Sequence, residues 1–289
     1  MYVERANLDE TSPRGNGDEQ WSTATRGRRG GIKAIVTVAF ALGLFMVFYS
    51  AWMSVLGGGS RIAANRTSCR DHLTQIGIAL HDYHDDYGSF PPAYIAAEDG
   101  TPMHSWRVLL LPYLDRKDLY NEYRFDEPWD SLHNLKIAVP LAIYLCPSQP
   151  DKPSQETNYL AVIGERTCWP GARHRTIREI SDGSWSTVQV VEVADSGILW
   201  TEPRDLHVLQ MNAGVNAAHG QGPSSHHPGG MMVLLADGSV KFVTDDFSPD
   251  ILKAYLTVDD GEPTPTNGEW RHWHLHQGEA DQTTPAAGK

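Results

Sequence analysis

Polar and apolar positions fall into three regimes along this chain. Residues 34–56 form the first: 23 consecutive residues without a charge, most of them apolar. A hydrocarbon core about 30 Å thick takes roughly 20 helical residues to cross, so this stretch is long enough to span a membrane as one helix. Thr37, Ser50 and Ser54 fit such a helix, whose backbone satisfies hydroxyls locally. Tyr49 and Trp52 stand near its far end, where interfacial aromatics concentrate. The second regime follows a glycine-rich hinge at 57–60. Cys69, Leu73, Ile76, Leu80, Tyr83 and Tyr87 are spaced four, three, four, three and four, which is one stripe of an amphipathic helix. Gly88 ends it, and Pro91 and Pro92 stop any continuation. A helix with one apolar face needs a surface to cover it, most simply a sheet of the same domain.

In the third regime the apolar runs become short. Segments 104–114, 115–123 and 129–139 read as brief helices, and 142–148 as a strand-like run closed by proline. Segments 158–164, 187–194, 230–236 and 239–244 are rich in β-branched and other apolar residues and read as strands. Asp237-Gly238 between the last two predicts a two-residue hairpin turn. A small helix at 250–256 precedes a tail, 258–289, rich in Gly, Pro, Thr and acid and expected to be mostly disordered. The pattern predicts an α+β protein. A polar tail at 1–30, expected to be disordered and cytoplasmic, leads into an anchor at 31–56, then a hinge at 57–60 and an exported domain at 61–257.

Charge gives the anchor a direction. Arg26, Arg28, Arg29 and Lys33 precede the apolar run, against Arg61 and Arg66 beyond it, so the N-terminus is expected inside the cytoplasmic membrane and the main domain outside. The net charge is −12, which argues against nucleic acid, whose phosphates call for a basic face. All three cysteines, Cys69, Cys146 and Cys168, lie past the anchor, in an oxidising compartment on that topology. Two can pair and one is left over, unless all three are buried thiols.

Several groups invite chemistry. Ser225, His227 and Asp237 have the residue types of a hydrolase triad, but no strand–nucleophile–helix elbow surrounds the serine, and Asp237-Gly238 is explained by the turn. His272, His274 and His276 alternate, so in extended chain they share a face and suit a metal; in a polar tail the expectation is adventitious affinity only. His81, His84, Asp82, Asp85 and Asp86 lack calcium-loop spacing and read as a solvated helix face. Among the tryptophans, Trp169 and Trp185 sit between turn residues and are the expected exposed pair, available for stacking on a ligand. No cofactor is expected.

Five blocks, in order, resemble a planctomycete family of pilin-like proteins known as domain of unknown function 1559, sometimes placed under a bacterial solute-binding heading. They are the run from Cys69 to His84 with Tyr87-Gly88-Ser89-Phe90-Pro91-Pro92; Ser105-Trp106-Arg107 with Leu111-Pro112-Tyr113-Leu114; Leu145-Cys146-Pro147-Ser148; Ile180-Ser181-Asp182-Gly183-Ser184; and His227 followed after nine residues by Asp237-Gly238. The resemblance implies a type IV pilin-like architecture, with the amphipathic helix packed on an antiparallel sheet and additional β structure. It also implies a Cys69–Cys146 disulfide with Cys168 as the extra thiol. Pilin-like members carry a glutamate at the fifth mature position. Here the corresponding stretch, Arg28-Arg29-Gly30-Gly31-Ile32-Lys33-Ala34-Ile35-Val36, has none, which predicts an uncleaved single-pass anchor. The expected function is that of a non-enzymatic cell-envelope protein with a structural or interaction role, its partners the membrane and another envelope protein or a glycan. The alternatives are a displayed carbohydrate- or solute-binding module and, more weakly, an envelope hydrolase.

Overall fold

Cys69, Leu73, Ile76 and Leu80, the core of the predicted stripe, have no solvent exposure. In the computed structural model, which describes residues 20–150, 154–217, 220–259 and 261, they lie on helix α1 (Gln20–Tyr87). Farther along the stripe, Tyr83 is half-buried and Tyr87 is exposed. Gly88, at φ +76°, closes the helix in the left-handed conformation glycine adopts without a Cβ penalty, its N–H donating to the His84 carbonyl at 2.7 Å.

The chain divides into two compact units between Gly59 and Ser60, within the segment expected as a hinge. That segment is itself helical, as are residues 20–30 of the expected disordered tail. Glycine weakens a helix by about 1 kcal/mol per residue, but unlike proline it keeps the N–H that the helical ladder needs. Residues 1–19 of that tail lie outside the described residues.

The second unit begins with the part of α1 from Ser60 onward and a small hairpin, β1 (Tyr94–Ala96) and β2 (Pro102–Ser105). Three short helices follow, α2 (Trp106–Leu109), α3 (Lys117–Glu122) and α4 (Leu132–Ile137). Ser105 caps α2 and Ser131 caps α4, each accepting a backbone N–H through its hydroxyl, which supplies one of the acceptors a helix N-terminus lacks. The five strands after them, β3 (Tyr159–Ile163), β4 (Val188–Glu192), β5 (Leu206–His207), β6 (Gly230–Leu235) and β7 (Val240–Thr244), form one sheet in the order β5-β3-β4-β6-β7. All neighbours are antiparallel except β3 and β5, so the architecture is α+β with a mixed, largely antiparallel sheet.

The central strands are buried on both faces, and the two-residue period of a strand divides them between two cores. Tyr159, Ala161, Val190, Met232 and Leu234 join the core that contains the α1 stripe. Leu160, Val162, Val191, Met231, Val233 and Leu235 join a second core. That second core is shared with Leu252 of the last helix, α5 (Pro249–Ala254). Gly77 marks how tightly α1 sits on the first face. A Cβ there would lie 2.9 Å from Leu234 Cδ1 and 3.4 Å from the backbone of Gly238.

Three local expectations change. Segment 142–148 is not a strand: residues Ala142–Tyr144 form a 3-10 turn, with Tyr144 N–H donating to Leu141 and Leu145 N–H to Ala142. Pro140 and Pro147 bracket it and carry no ladder donors, while the three-residue spacing puts both Leu141 and Tyr144 inside. The β6–β7 turn has three residues rather than two. Leu235 accepts from Gly238 N–H and donates to the Ser239 carbonyl; Gly238 is left-handed at φ +84° while Asp237 is not, the type I turn plus bulge of a three-residue loop. Finally, the expected tail start is core: Val258 is buried, its N–H donates to Arg166 and its carbonyl accepts from Asp182 N–H, and Asp259 pairs with Arg166 at 2.8 Å.

Candidate functional site

Four buried side chains from four separated segments meet inside the second unit. Cys69 comes from the buried stripe of α1, Cys146 from the chain just after the 3-10 turn, Glu192 from the end of β4, and His227 from the loop that enters β6. One ligand-type atom from each lies within 4.8 Å of all the others. Cys69 Sγ donates to Glu192 Oε1 at 3.0 Å. Cys146 Sγ lies 3.4 Å from His227 Nε2, and the same Nε2 lies 3.4 Å from Glu192 Oε1. All four residues are buried.

Local structure explains each position. Glu192 pairs in register with Tyr159 on the β3 neighbour, on the sheet face that α1 covers. Its second oxygen accepts the Met232 N–H at 2.9 Å. Pro147 turns the chain after Cys146, so that Ser148 N–H reaches Cys146 Sγ at 3.4 Å and Ser148 Oγ reaches His227 Nδ1 at 3.1 Å. Ser225 Oγ accepts the His227 N–H at 3.0 Å and fixes the loop. Tyr159 Oη contacts Cys69 Sγ at 3.2 Å.

The electrostatics of the cluster are uneven. The neighbouring Cys69 thiol, aided by the contact with His227, pulls Cys146 down to about 3 against the effect of burial. Burial pushes Cys69 and Glu192 up, as does the negative charge each sees nearby. Burial likewise pushes the Tyr159 phenol up.

The expected disulfide is not formed. Cys69, Cys146 and Cys168 are all free thiols, although the first two meet in this cluster. Cys168 is buried elsewhere, and burial holds its thiol up at about 12. The triad residues do not converge: Ser225 Oγ holds the backbone of His227 rather than its ring, and Asp237 Oδ1 caps its own turn through Ser239 N–H at 2.8 Å. Trp169 is not a stacking platform. It is fully buried, its indole N–H donates to the Gln189 carbonyl at 2.6 Å, and its ring packs on Trp106 at 5.0 Å. A bridge between Trp169 and Ile163 draws this turn against β3, which is why it is inside. Trp185 is exposed, at 48%. His272, His274 and His276 lie outside the described residues.

A second buried constellation surrounds Arg107 on α2. Its guanidinium pairs with Asp205 and donates to Ser105 Oγ at 2.9 Å and to the Tyr159 carbonyl at 3.1 Å. Asp205 also accepts the indole N–H of Trp106 and the Ala161 N–H. These bonds lock α2 and the β3 edge together. They give the consecutive residues Ser105, Trp106 and Arg107 one shared structural role.

A family model described as "Protein of unknown function (DUF1559)" matches residues 60–173 and 156–250. The chain belongs to the DUF1559 family. The matched segments contain all four cluster residues and the Arg107–Asp205 pair. Neither the curated proteins nor the solved structures give a match. Glu192 is the DUF1559 cluster residue that sequence reading missed. A glutamate in a strand reads as the solvent face, and only coverage of both sheet faces puts it inside.

Proposed function

We propose that this DUF1559 protein is a single-pass protein of the cytoplasmic membrane, with its N-terminus inside, that displays a non-enzymatic, pilin-like domain to the envelope in a structural or interaction role. One observation carries the reading. Within the first unit, Leu44, Phe45, Met46, Val47, Phe48 and Tyr49 are consecutive and all exposed, as are Ile35, Val38, Phe40, Leu42 and Trp52. Consecutive residues point around the whole circumference of a helix, so no single protein surface covers them, whereas lipid does. Among the described residues no helix is long and apolar enough to cross a membrane. The unbroken run of described side chains there is 37–50, shorter than the uncharged run of residues 34–56 in the sequence.

The pilin-like part of the reading is supported by the α1 stripe packed on a largely antiparallel sheet. The missing glutamate supports a permanent tether over a filament subunit. Membrane fractionation with alkaline extraction tests the anchor. The intact chain stays with the bilayer, deletion of residues 34–56 releases it, and release of the intact chain by alkaline wash sinks the reading. N-terminal sequencing that finds a mature start at Gly31 or Ile32 replaces the tether with a processed pilin.

A further inference from the structure

We propose that Cys69, Cys146, Glu192 and His227 form a closed tetrahedral site for a zinc ion, which fastens helix α1 to the sheet. The donor set is two sulfurs, one imidazole nitrogen and one carboxylate oxygen. Zinc binds all three donor types and is four-coordinate in structural sites, and soft sulfur ligands disfavour magnesium and calcium. The spacing fits. Zinc bonds of about 2.0–2.3 Å in a tetrahedron put neighbouring donors about 3.3–3.8 Å apart, and the donors here stand at 3.0, 3.4 and 3.4 Å, all within 4.8 Å of one another. Side-chain adjustments of at most about 1 Å, from the 4.8 Å outer limit to tetrahedral spacing, separate this arrangement from a loaded one.

The surroundings are those of a metal site. A ligating imidazole characteristically uses its other nitrogen on an outer partner, which fixes its tautomer and direction. Here Nδ1 of His227 meets Ser148 Oγ, so Nε2 faces the cluster. Ser148 N–H supports Cys146 Sγ, Met232 N–H supports the free oxygen of Glu192, and Tyr159 Oη supports Cys69 Sγ. Four protein ligands fill the coordination sphere and all are buried, leaving no open position for substrate. The site is therefore structural, not catalytic.

A disulfide between Cys69 and Cys146 explains less. It would consume both sulfurs and leave Glu192 the His227 imidazole, 3.4 Å away, as its one ionisable partner in the cluster, whereas a metal engages all four donors at once. Among the described residues, the groups bonded to the cluster include no lysine or arginine. A divalent cation brings more positive charge to the two sulfurs and the carboxylate than one imidazole can carry, and loading displaces the remaining thiol and carboxyl protons to solvent. The inference does not depend on whether residues 34–56 cross a bilayer.

The test uses the full-length chain in detergent, purified without a metal-affinity tag. Elemental mass spectrometry is expected to find about one zinc per chain, lost in Cys146→Ser and in His227→Ala but kept in Cys168→Ser. Because the first two variants can fail to fold, wild-type protein is also stripped with chelator under reducing conditions and titrated with cobalt(II). One equivalent is expected to produce the intense visible bands and the thiolate charge-transfer band of a tetrahedral sulfur site. Zinc retained at wild-type level by both ligand variants overturns the proposal. So does a reduced, stripped chain that gives no such bands with cobalt.

Discussion

The buried Arg107–Asp205 pair offers the sharpest test of the packing argument. Arg107→Met keeps volume and removes charge. It deletes an ion pair whose two side chains are both fully buried, together with the bonds to Ser105 Oγ and the Tyr159 carbonyl. Truncating one partner of such a pair costs about 3–5 kcal/mol, and each lost hydrogen bond is worth about 1 kcal/mol of net stability. The loss depends on pH in a defined direction. Burial pushes Asp205 up to about 6 despite the pull of Arg107, and without Arg107 it rises further. Below about pH 6 both proteins hold the proton in the folded state, so the variant loses little beyond its hydrogen bonds, about 2 kcal/mol. Above that the wild-type carboxylate is ionised and paired while the variant's must stay protonated, so the penalty grows by about 1.4 kcal/mol per pH unit toward its full value. Urea unfolding of the full-length chain, followed by the emission of Trp106 and Trp169, measures both limits. A loss under about 1 kcal/mol, or one equal near pH 5 and pH 7.5, refutes the reasoning.

Other predictions follow from single positions. Trp169→Ala removes a fully buried ring and its bond to Gln189 and should cost about 3–5 kcal/mol, whereas exposed Trp185→Ala should stay within about 0.5 kcal/mol; urea midpoints distinguish them. Gly238→Ala forces a side chain into φ +84° at the hairpin turn and should cost about 1–2 kcal/mol, again read from the urea midpoint; a neutral result would mean the turn relaxes. Cys168, buried and with its thiol held up at about 12, should resist alkylation in the folded chain at neutral pH and react once urea unfolds it, as peptide mass mapping will show.

What the sequence discloses follows from how local each signal is. The Cys69–Leu80 stripe was legible because a helix encodes its buried face within four residues, and β6 and β7 were legible because apolar runs flank Asp237-Gly238. The same local reading missed the length of that turn, which depends on the backbone angle at Asp237 and not on the dipeptide alone. It took 142–148 for a strand because apolar content does not distinguish a strand from a 3-10 turn held between two prolines. It placed Trp169 outside because turn residues flank it. The bridge to Ile163 that draws it in is a contact with a strand edge, and its own neighbours carry no trace of it.

The cluster shows the same limit from the other side. Zinc sites announced by sequence pair their ligands at short spacing, two cysteines or two histidines a few residues apart. Here the ligand-type residues stand at 69, 146, 192 and 227, and no two share a turn or a strand. Three of them fall within the blocks by which the chain resembles its family, and the fold gives those scattered blocks one physical reason to coexist: each delivers a side chain to the same buried point. The fourth, Glu192, is invisible until the sheet is seen to be covered on both faces. Its buried carboxylate is also the residue that most needs explaining. The disulfide suggested by the two cysteines leaves it only the His227 imidazole, 3.4 Å away, as an ionisable partner in the cluster, whereas a cation held by all four accounts for the cysteines, the histidine and the carboxylate together.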